Sequence, residues 1–329
     1  MANLGFDWQI DEYMIYCRSR KLREKTMNSY EQALRLFERW CNEQMQIVSV
    51  DKVSDAVIRR YINDLQERGK YTFYCNDATK EINFPERRRD FRKPVSVCTI
   101  NNYIRNLRAF FYWLDSECVI DKNPMRKVKQ LKAERQAREY INDHDFKKLI
   151  SCLDKSYYSE HRDYVIIMLI IDSGMRLGEC SCLLIEDINL AKRQIFLRAD
   201  ITKGRKDRVV YFSAKTEQIL RRWLQYKDRY VESDYLFPVK KSGYHVDVHT
   251  FETNFKNYLR RAGLKETISP HCLRNNFAKR CLMSGMDIYT LSRLLGHSSV
   301  TITEKAYLDL TDDDFGERYQ HYSPVNNMR

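Results

Sequence analysis

The sequence predicts a mainly α-helical protein in two domains, the second carrying one small antiparallel β-sheet. Three observations lead there. Apolar residues recur at helical spacing through the first 121 residues. A basic stretch punctuated by Asn123-Pro124 follows. Beyond it, three short strand-like runs interrupt a second set of helices.

In the first domain, residues 1–121, Ile10, Tyr13, Met14 and Cys17 mark one helical face. Thr26 to Glu43 forms a longer amphipathic helix with Tyr30, Ala33, Leu34, Leu36, Phe37 and Trp40 as its stripe. Ser54 is placed to cap a helix through Ile58, Tyr61, Ile62 and Leu65. From Gln66 to Val97 the pattern breaks into polar and aromatic residues, predicting a long loop or hairpin insertion. Thr99 then opens a helix carrying Ile100, Tyr103, Ile104, Leu107, Phe110, Phe111 and Leu114. Residues 122–138 read as a basic linker. The second domain, residues 139–329 with a tail from 311, opens with helices at Asp143–Cys152 and Glu160–Asp172. Strand-like runs follow at Cys182–Ile188, Gln194–Arg198 and Arg208–Phe212. Helices resume at Thr216–Arg229, Val248–Ala262, His271–Ser284 and Ile288–Leu295.

The 329 residues are 43% hydrophobic and 31% charged, an ordinary balance for a folded chain. No run approaches the roughly 18 apolar residues of a membrane span, and the first residues do not read as a secretory signal. The expectation is a cytoplasmic protein. Ten cysteines are scattered, and Cys180 and Cys182 form C-x-C rather than a zinc-type C-x-x-C. Most are expected as small buried residues. The formal charge of +12 favours polyanionic partners. It is concentrated in Lys122, Arg126, Lys127, Lys129, Lys132, Arg135 and Arg138, against the single acid Glu134. A second cluster is Arg87, Arg88, Arg89, Arg92 and Lys93. Each is either a solvated face or a phosphate-binding surface.

Four fragments of the second domain carry candidate chemistry. They are Ser173-Gly174-Met175-Arg176-Leu177-Gly178-Glu179, Thr202-Lys203-Gly204-Arg205-Lys206-Asp207-Arg208, Pro270-His271-Cys272-Leu273-Arg274, and Leu294-Leu295-Gly296-His297-Ser298-Ser299 with Tyr307 ten residues after the histidine. Singly, each has a plain structural reading: a salt-bridging arginine, an exposed turn lysine, a core histidine, one of 22 tyrosines.

In combination and order, the chain resembles the tyrosine recombinase (phage integrase) family. That family carries an arginine in an A-R-x-G-E-like turn, a lysine in a β-hairpin, an H-x-L-R box, an L-G-H box and a tyrosine nine or ten residues later. Arg176, Lys203, His271, Arg274, His297 and Tyr307 match in that order. Met175 departs from the usual alanine, a change expected to affect packing more than chemistry. "KTMNSYEQALRLFERW" and "TINNYIRNLRAFFYWL…NP" resemble the helices of the family's core-binding (SAM-like) domain. The resemblance spans nearly the whole chain, leaving out the 66–97 insertion and the tail.

The resemblance implies a recombinase that cuts and rejoins DNA through a 3′-phosphotyrosine, with no metal or other cofactor. Arg176 and Arg274, helped by His297, would hold the phosphate's non-bridging oxygens. His271 would take the proton of Tyr307, whose phenol is a poor nucleophile while neutral. Lys203 would protonate the leaving 5′ oxygen, and Glu179 would orient the site. Partners would be a double-stranded core site, a homo-tetramer and accessory DNA-bending proteins. The two domains would grip the duplex, with Arg126, Lys127, Lys129, Lys132 and Arg135 on phosphates. The tail, with Asp312, Asp313, Asp314, Phe315, Tyr319 and Tyr322, would dock on a neighbouring subunit or remain a frayed terminus. The short lead before Asp7 suggests a Xer-like, two-domain form without an arm-binding domain, encoded by a bacterium, phage or mobile element. A type IB topoisomerase, a DNA-binding protein that has lost catalysis and a metal-dependent nuclease stand as alternatives. The last is disfavoured because no Asp/Glu/His cluster has ligand spacing.

Overall fold

The computed structural model describes residues 4–75, 77–133, 140–297 and 299–307, and five single positions in the tail (Gly316, Tyr319, Ser323, Val325 and Asn326); for Asp77, Thr79, Lys80, Lys305, Ala306 and Tyr307 it describes the backbone alone. The chain divides into two compact units, Met1–Arg135 and Gln136–Arg329.

The first unit is helical. It contains α1 (Phe6–Ser19), α2 (Glu24–Met45), α3 (Asp55–Glu67), α4 (Asp77–Asn83) and α5 (Val97–Ser116). Ser54 caps α3 as expected, its hydroxyl accepting from the Val57 N–H at 3.4 Å. Ser96 does the same for α5, so that helix begins two residues earlier than predicted. The apolar stripes read from the sequence meet in one core, where Ile10, Phe37, Tyr61, Ile104, Leu107, Phe110 and Phe111 are fully enclosed.

Two expectations for this unit need correction. The 66–97 segment, expected as a long loop or hairpin insertion, also holds α4 and a 3₁₀ turn at Pro85–Arg87. Its neck is closed by hydrogen bonds from the Lys70 N–H to the Lys93 carbonyl (2.8 Å) and from the Arg92 N–H to the Lys70 carbonyl (3.0 Å). Its packing uses arginines over rings, Arg68 on Phe73, Arg87 on Phe84 and Arg88 on Tyr71, which hydrophobic periodicity does not register. The stretch beginning at 122 is part of this unit as far as Leu131. Asn123, Met125 and Val128 are buried in it, and Asn101 pairs with both the N–H and the carbonyl of Leu131 (2.8 and 2.9 Å).

The second unit contains α6 (Asp143–Ser151), α7 (Tyr158–Ser173), α8 (Leu177–Ser181), β1 (Ile188–Asn189), β2 (Gln194–Leu197), β3 (Arg208–Tyr211), α9 (Ala214–Lys227), α10 (Val248–Arg261), α11 (His271–Met283), α12 (Ile288–Leu295) and α13 (Val300–Tyr307). The sheet is antiparallel in the order β1-β2-β3. Of the first strand-like run, only Ile188 pairs with β2. Asp187 turns the chain instead: its buried carboxylate accepts the Leu184 N–H at 2.8 Å and binds Arg198, and Ile185–Asp187 becomes a 3₁₀ turn. Helix α7 is the central element, apolar on nearly every side. Its one buried carboxylate, Asp163, is satisfied by Arg162 (3.0 and 2.8 Å), Asn254 (2.9 Å) and the Tyr258 hydroxyl (2.8 Å), tying α7 to α10.

The cysteines also differ from expectation: Cys17, Cys41, Cys180 and Cys272 are buried, while Cys98 and Cys118 are exposed. Among the described residues no helix is long and apolar enough to cross a membrane.

Candidate active site

The Arg176 fragment begins where α7 stops. Gly174 ends the helix in the left-handed region (φ 68°), and a Cβ there would run into the Phe277 ring of α11. Met175 is fully buried in the core, so its side chain contributes packing. Arg176 then caps α8. Glu179, 2% exposed, accepts the Arg176 N–H at 2.8 Å and the Arg176 Nη1 at 2.8 Å. The same carboxylate takes Arg208 Nη1 at 3.0 Å and Nη2 at 2.6 Å from β3. Burial by itself would raise the Glu179 carboxyl. The Arg208 hydrogen bonds and charge, then those of Arg176, outweigh it and hold the group below the usual carboxylate range.

Lys203 lies exposed in the connection between β2 and β3. Its neighbour Thr202 is buried and organises the turn, with its hydroxyl 3.1 Å from the Ala199 carbonyl and 3.0 Å from the Lys206 carbonyl. Asp207 accepts the Ala199 N–H at 2.6 Å across the same turn.

Arg274 lies one turn into α11 and is 2% exposed. Its Nη1 donates to the Gly174 carbonyl at 2.7 Å, 100 residues away in sequence. Its Nη2 donates to the Leu295 carbonyl at 2.7 Å and stands 3.1 Å from His297 Nε2. His297 follows the left-handed C-cap of α12 at Gly296. Its Nδ1 reaches the buried hydroxyl of Thr303 on α13 at 2.8 Å. His271, first residue of α11, is exposed. Tyr307 closes α13; the helix backbone is described there, and the side chain lies outside the described residues.

A cavity of about 770 Å³ is lined by Thr202, Gly204, Arg208, Gly296 and His297 among others, so the Lys203 turn and the His297 box border one space. Three of the four fragments are thus joined by hydrogen bonds or by this cavity, and the Arg176 loop is tied to them through Gly174 and Arg208. Sequence reasoning missed two participants, Arg208 and Thr303. A signal for Arg208 was present. In the alternating strand Arg208-Val209-Val210-Tyr211 it shares the inward parity of buried Val210, and an inward arginine calls for hydrogen-bond acceptors inside the fold.

Of the expected phosphate contacts, Arg126, Lys127, Lys129 and Lys132 are exposed, alternating with the buried anchors Met125 and Val128. Arg126 pairs with Asp115 at 3.5 Å. Arg135, Arg138 and, except for exposed Tyr319, the tail residues named above lie outside the described residues. Among the described residues no group of three or more His, Cys, Asp and Glu is arranged to hold a metal ion.

The model of the phage integrase family matches residues 139–314, and that of the phage integrase N-terminal SAM-like domain matches residues 10–73. A tyrosine recombinase of Thermosipho africanus (strain TCF52B) is 28% identical over 280 residues, covering 82% of this chain and 93% of that protein. The tyrosine recombinase XerC of Listeria monocytogenes serovar 1/2a (strain ATCC BAA-679 / EGD-e) is 26% identical over 310 residues, 93% of each. Among solved structures, the Tn1549 transposon integrase in complex with a circular intermediate DNA superposes with a TM-score of 0.70 at 17% identity, over 98% of this chain and 100% of that one. The XerH site-specific recombinase bound to palindromic difH substrate gives 0.66 at 20% identity, over 92% and 81%. At these identities the structural likeness speaks for the fold.

Proposed function

The chain belongs to the phage integrase family, and from that premise we propose that Tyr307 attacks a DNA phosphate at a specific core site and carries the strand as a 3′-phosphotyrosine. The enzyme is a site-specific tyrosine recombinase that cuts and rejoins DNA. The observation that carries the assignment of residues is the bond from Arg274 to the Gly174 carbonyl, two positions before Arg176. It brings two guanidiniums far apart in sequence to one loop, and the second of them also holds His297. Two planar cations and an imidazole suit an anion with two non-bridging oxygens on which attack builds charge.

In this reading the Tyr307 oxygen forms a bond to phosphorus as the bond to the 5′ oxygen breaks. His271 takes the phenolic proton and Lys203 gives one to the departing 5′ oxygen. The phosphotyrosyl ester keeps the bond energy, so a 5′-hydroxyl from another strand reverses the step without ATP. Glu179 orients Arg176. The exposed cations Arg126, Lys127, Lys129 and Lys132 contact phosphates and add salt-dependent affinity. The working assembly is a homo-tetramer on DNA, aided by accessory bending proteins, in the cytoplasm of a bacterial cell. The match of residues 10–73 to the integrase SAM-like domain favours this over a monomeric topoisomerase.

The test begins with selection of a binding site from a random duplex pool. A nicked suicide duplex carrying that site is then incubated with the enzyme and run on a denaturing gel. A covalent protein–DNA band is expected from the native chain and none from Tyr307→Phe, with site binding intact. A band that survives in Tyr307→Phe rejects the nucleophile.

A further inference from the structure

The geometry points to Arg208 as a positioning residue that neutralises Glu179, so that Arg176 keeps its positive charge for the scissile phosphate. The inference rests on the reading of Arg176 given above. Glu179 is almost fully enclosed, and a lone buried carboxylate beside Arg176 would consume that arginine's charge. The structure instead supplies two guanidiniums to one carboxylate. Arg208 gives it both terminal nitrogens, at 3.0 and 2.6 Å, whereas Arg176 gives only Nη1. The Arg176 side chain stays 26% exposed, and its Nε and Nη2 engage none of the described residues. Arg208 is 12% exposed. The division of labour follows: Arg208 is spent on Glu179, and Arg176 retains an open edge of two nitrogens for a planar, paired contact with an oxyanion.

A second observation, independent of the ion pair, shows that the fold is shaped around this arginine. A Cβ built on Gly296 would lie 2.8 Å from Arg208 Cδ, 2.9 Å from Nε and 3.0 Å from Cζ. Gly296 immediately precedes His297, so the Arg208 side chain passes through the L-G-H turn itself. Its Nε is buried with no acceptor among the described residues. An arginine that leaves one donor unsatisfied inside the protein is held there for its charge and its fork toward Glu179, because apolar packing alone would suit a different side chain. Arg208 also lines the 770 Å³ cavity beside Thr202, which seats Lys203, and His297.

The test uses the full-length enzyme and the suicide duplex described above, with single-turnover cleavage as the readout and DNA affinity and thermal melting measured alongside. Arg208→Gln is expected to slow covalent adduct formation about 100-fold, the size seen when a transition-state electrostatic contact is lost, with affinity for the duplex changed much less. The decisive variant is the double substitution Glu179→Gln with Arg208→Gln. Removing the carboxylate's charge together with its partner frees Arg176 again, so the double variant is expected to cleave at least about tenfold faster than Arg208→Gln alone, a reversed additivity that marks coupled charges. A purely structural arginine gives no such recovery, because the double variant then loses contacts on both sides. Should Arg208→Gln fail to fold, Arg208→Lys keeps the charge and is expected to retain cleavage within about tenfold, and a loss as deep as 100-fold with a native melt overturns the charge role. Native-chain adduct with unchanged Arg208→Gln cleavage, or a double variant no faster than the single, overturns this inference alone. Absence of any adduct from the native chain overturns the reading of the reaction, and this inference with it.

Discussion

His297 Nδ1 lies 2.8 Å from the hydroxyl of Thr303, and the opposite ring nitrogen faces Arg274 at 3.1 Å. An arginine has no acceptor, so Nε2 of the imidazole accepts and Nδ1 carries the hydrogen, donating it to Thr303 Oγ1. One tautomer is thereby selected by two neighbours, one on α11 and one on α13. Thr303 is fully buried and stands four residues, one helical turn, before Tyr307 on α13. The imidazole therefore connects the arginine expected on the phosphate to the helix expected to deliver the nucleophile.

Replacing Thr303 by Val keeps the shape and removes the acceptor. The part-buried His297 N–H then loses that acceptor, at a cost of about 1–3 kcal/mol. Cleavage in single turnover is expected to fall roughly tenfold or more by that arithmetic, while Thr303→Ser stays near the native rate. Nitrogen NMR of the His297 ring should show Nδ1–H in the native chain and a mixture of tautomers in Thr303→Val. A native rate and a native ring signal in the valine variant would remove Thr303 from the site.

Gly296→Ala is expected to damage the enzyme twice over. The residue has φ 65°, a conformation that disfavours a Cβ by about 1–2 kcal/mol. The added methyl also meets Arg208 at 2.8 Å, which forces the guanidinium off Glu179. Denaturant unfolding should show the first effect as a loss of about that size. The second appears only in the chemistry, as a cleavage defect larger than the stability loss accounts for. The same substitution at Gly263, also at positive φ (66°) but with open space around its Cβ, serves as the control for strain alone and should leave cleavage nearly native.

What the sequence made legible follows from the kind of signal each element carries. Helices α2, α3 and α5 bury aliphatic and aromatic stripes whose spacing is readable by eye, as is the Ser54 cap of α3. In helix α13 the buried side chain among those described is the polar Thr303, which adds nothing to an apolar periodicity. Helix α8 is five residues long, too short for periodicity, and its start is fixed by the Glu179 carboxylate receiving the Arg176 N–H. The insertion packs by arginine–aromatic stacking. The six residues expected to do the chemistry were found by their order along the chain. Arg208 and Thr303 were missed because their roles lie in what they touch, and a contact between β3 and α8, or between α13 and His297 beyond the α12 cap, has no expression in local spacing.

Lys203 provides the sharpest separation of chemistry from structure. It sits exposed on a turn whose geometry is fixed by Thr202 and Asp207, so truncating it removes an amine without disturbing the turn's hydrogen bonds. If its amine protonates the 5′ oxygen, its value depends on how poor that leaving group is. An alkoxide needs the proton, whereas a thiolate leaves without one. Lys203→Ala is therefore expected to slow cleavage of the ordinary suicide duplex by about 10²–10⁴-fold, the range for general acid catalysis. With sulfur in place of the bridging 5′ oxygen, the variant should cleave at close to the native enzyme's rate. The exposed position allows the alternative that the amine only attracts the phosphate. That role would slow both substrates equally and would weaken duplex binding in a salt-dependent way. Equal loss on oxygen and sulfur substrates, with weakened binding, would assign Lys203 to phosphate contact and leave the leaving group's proton to another donor.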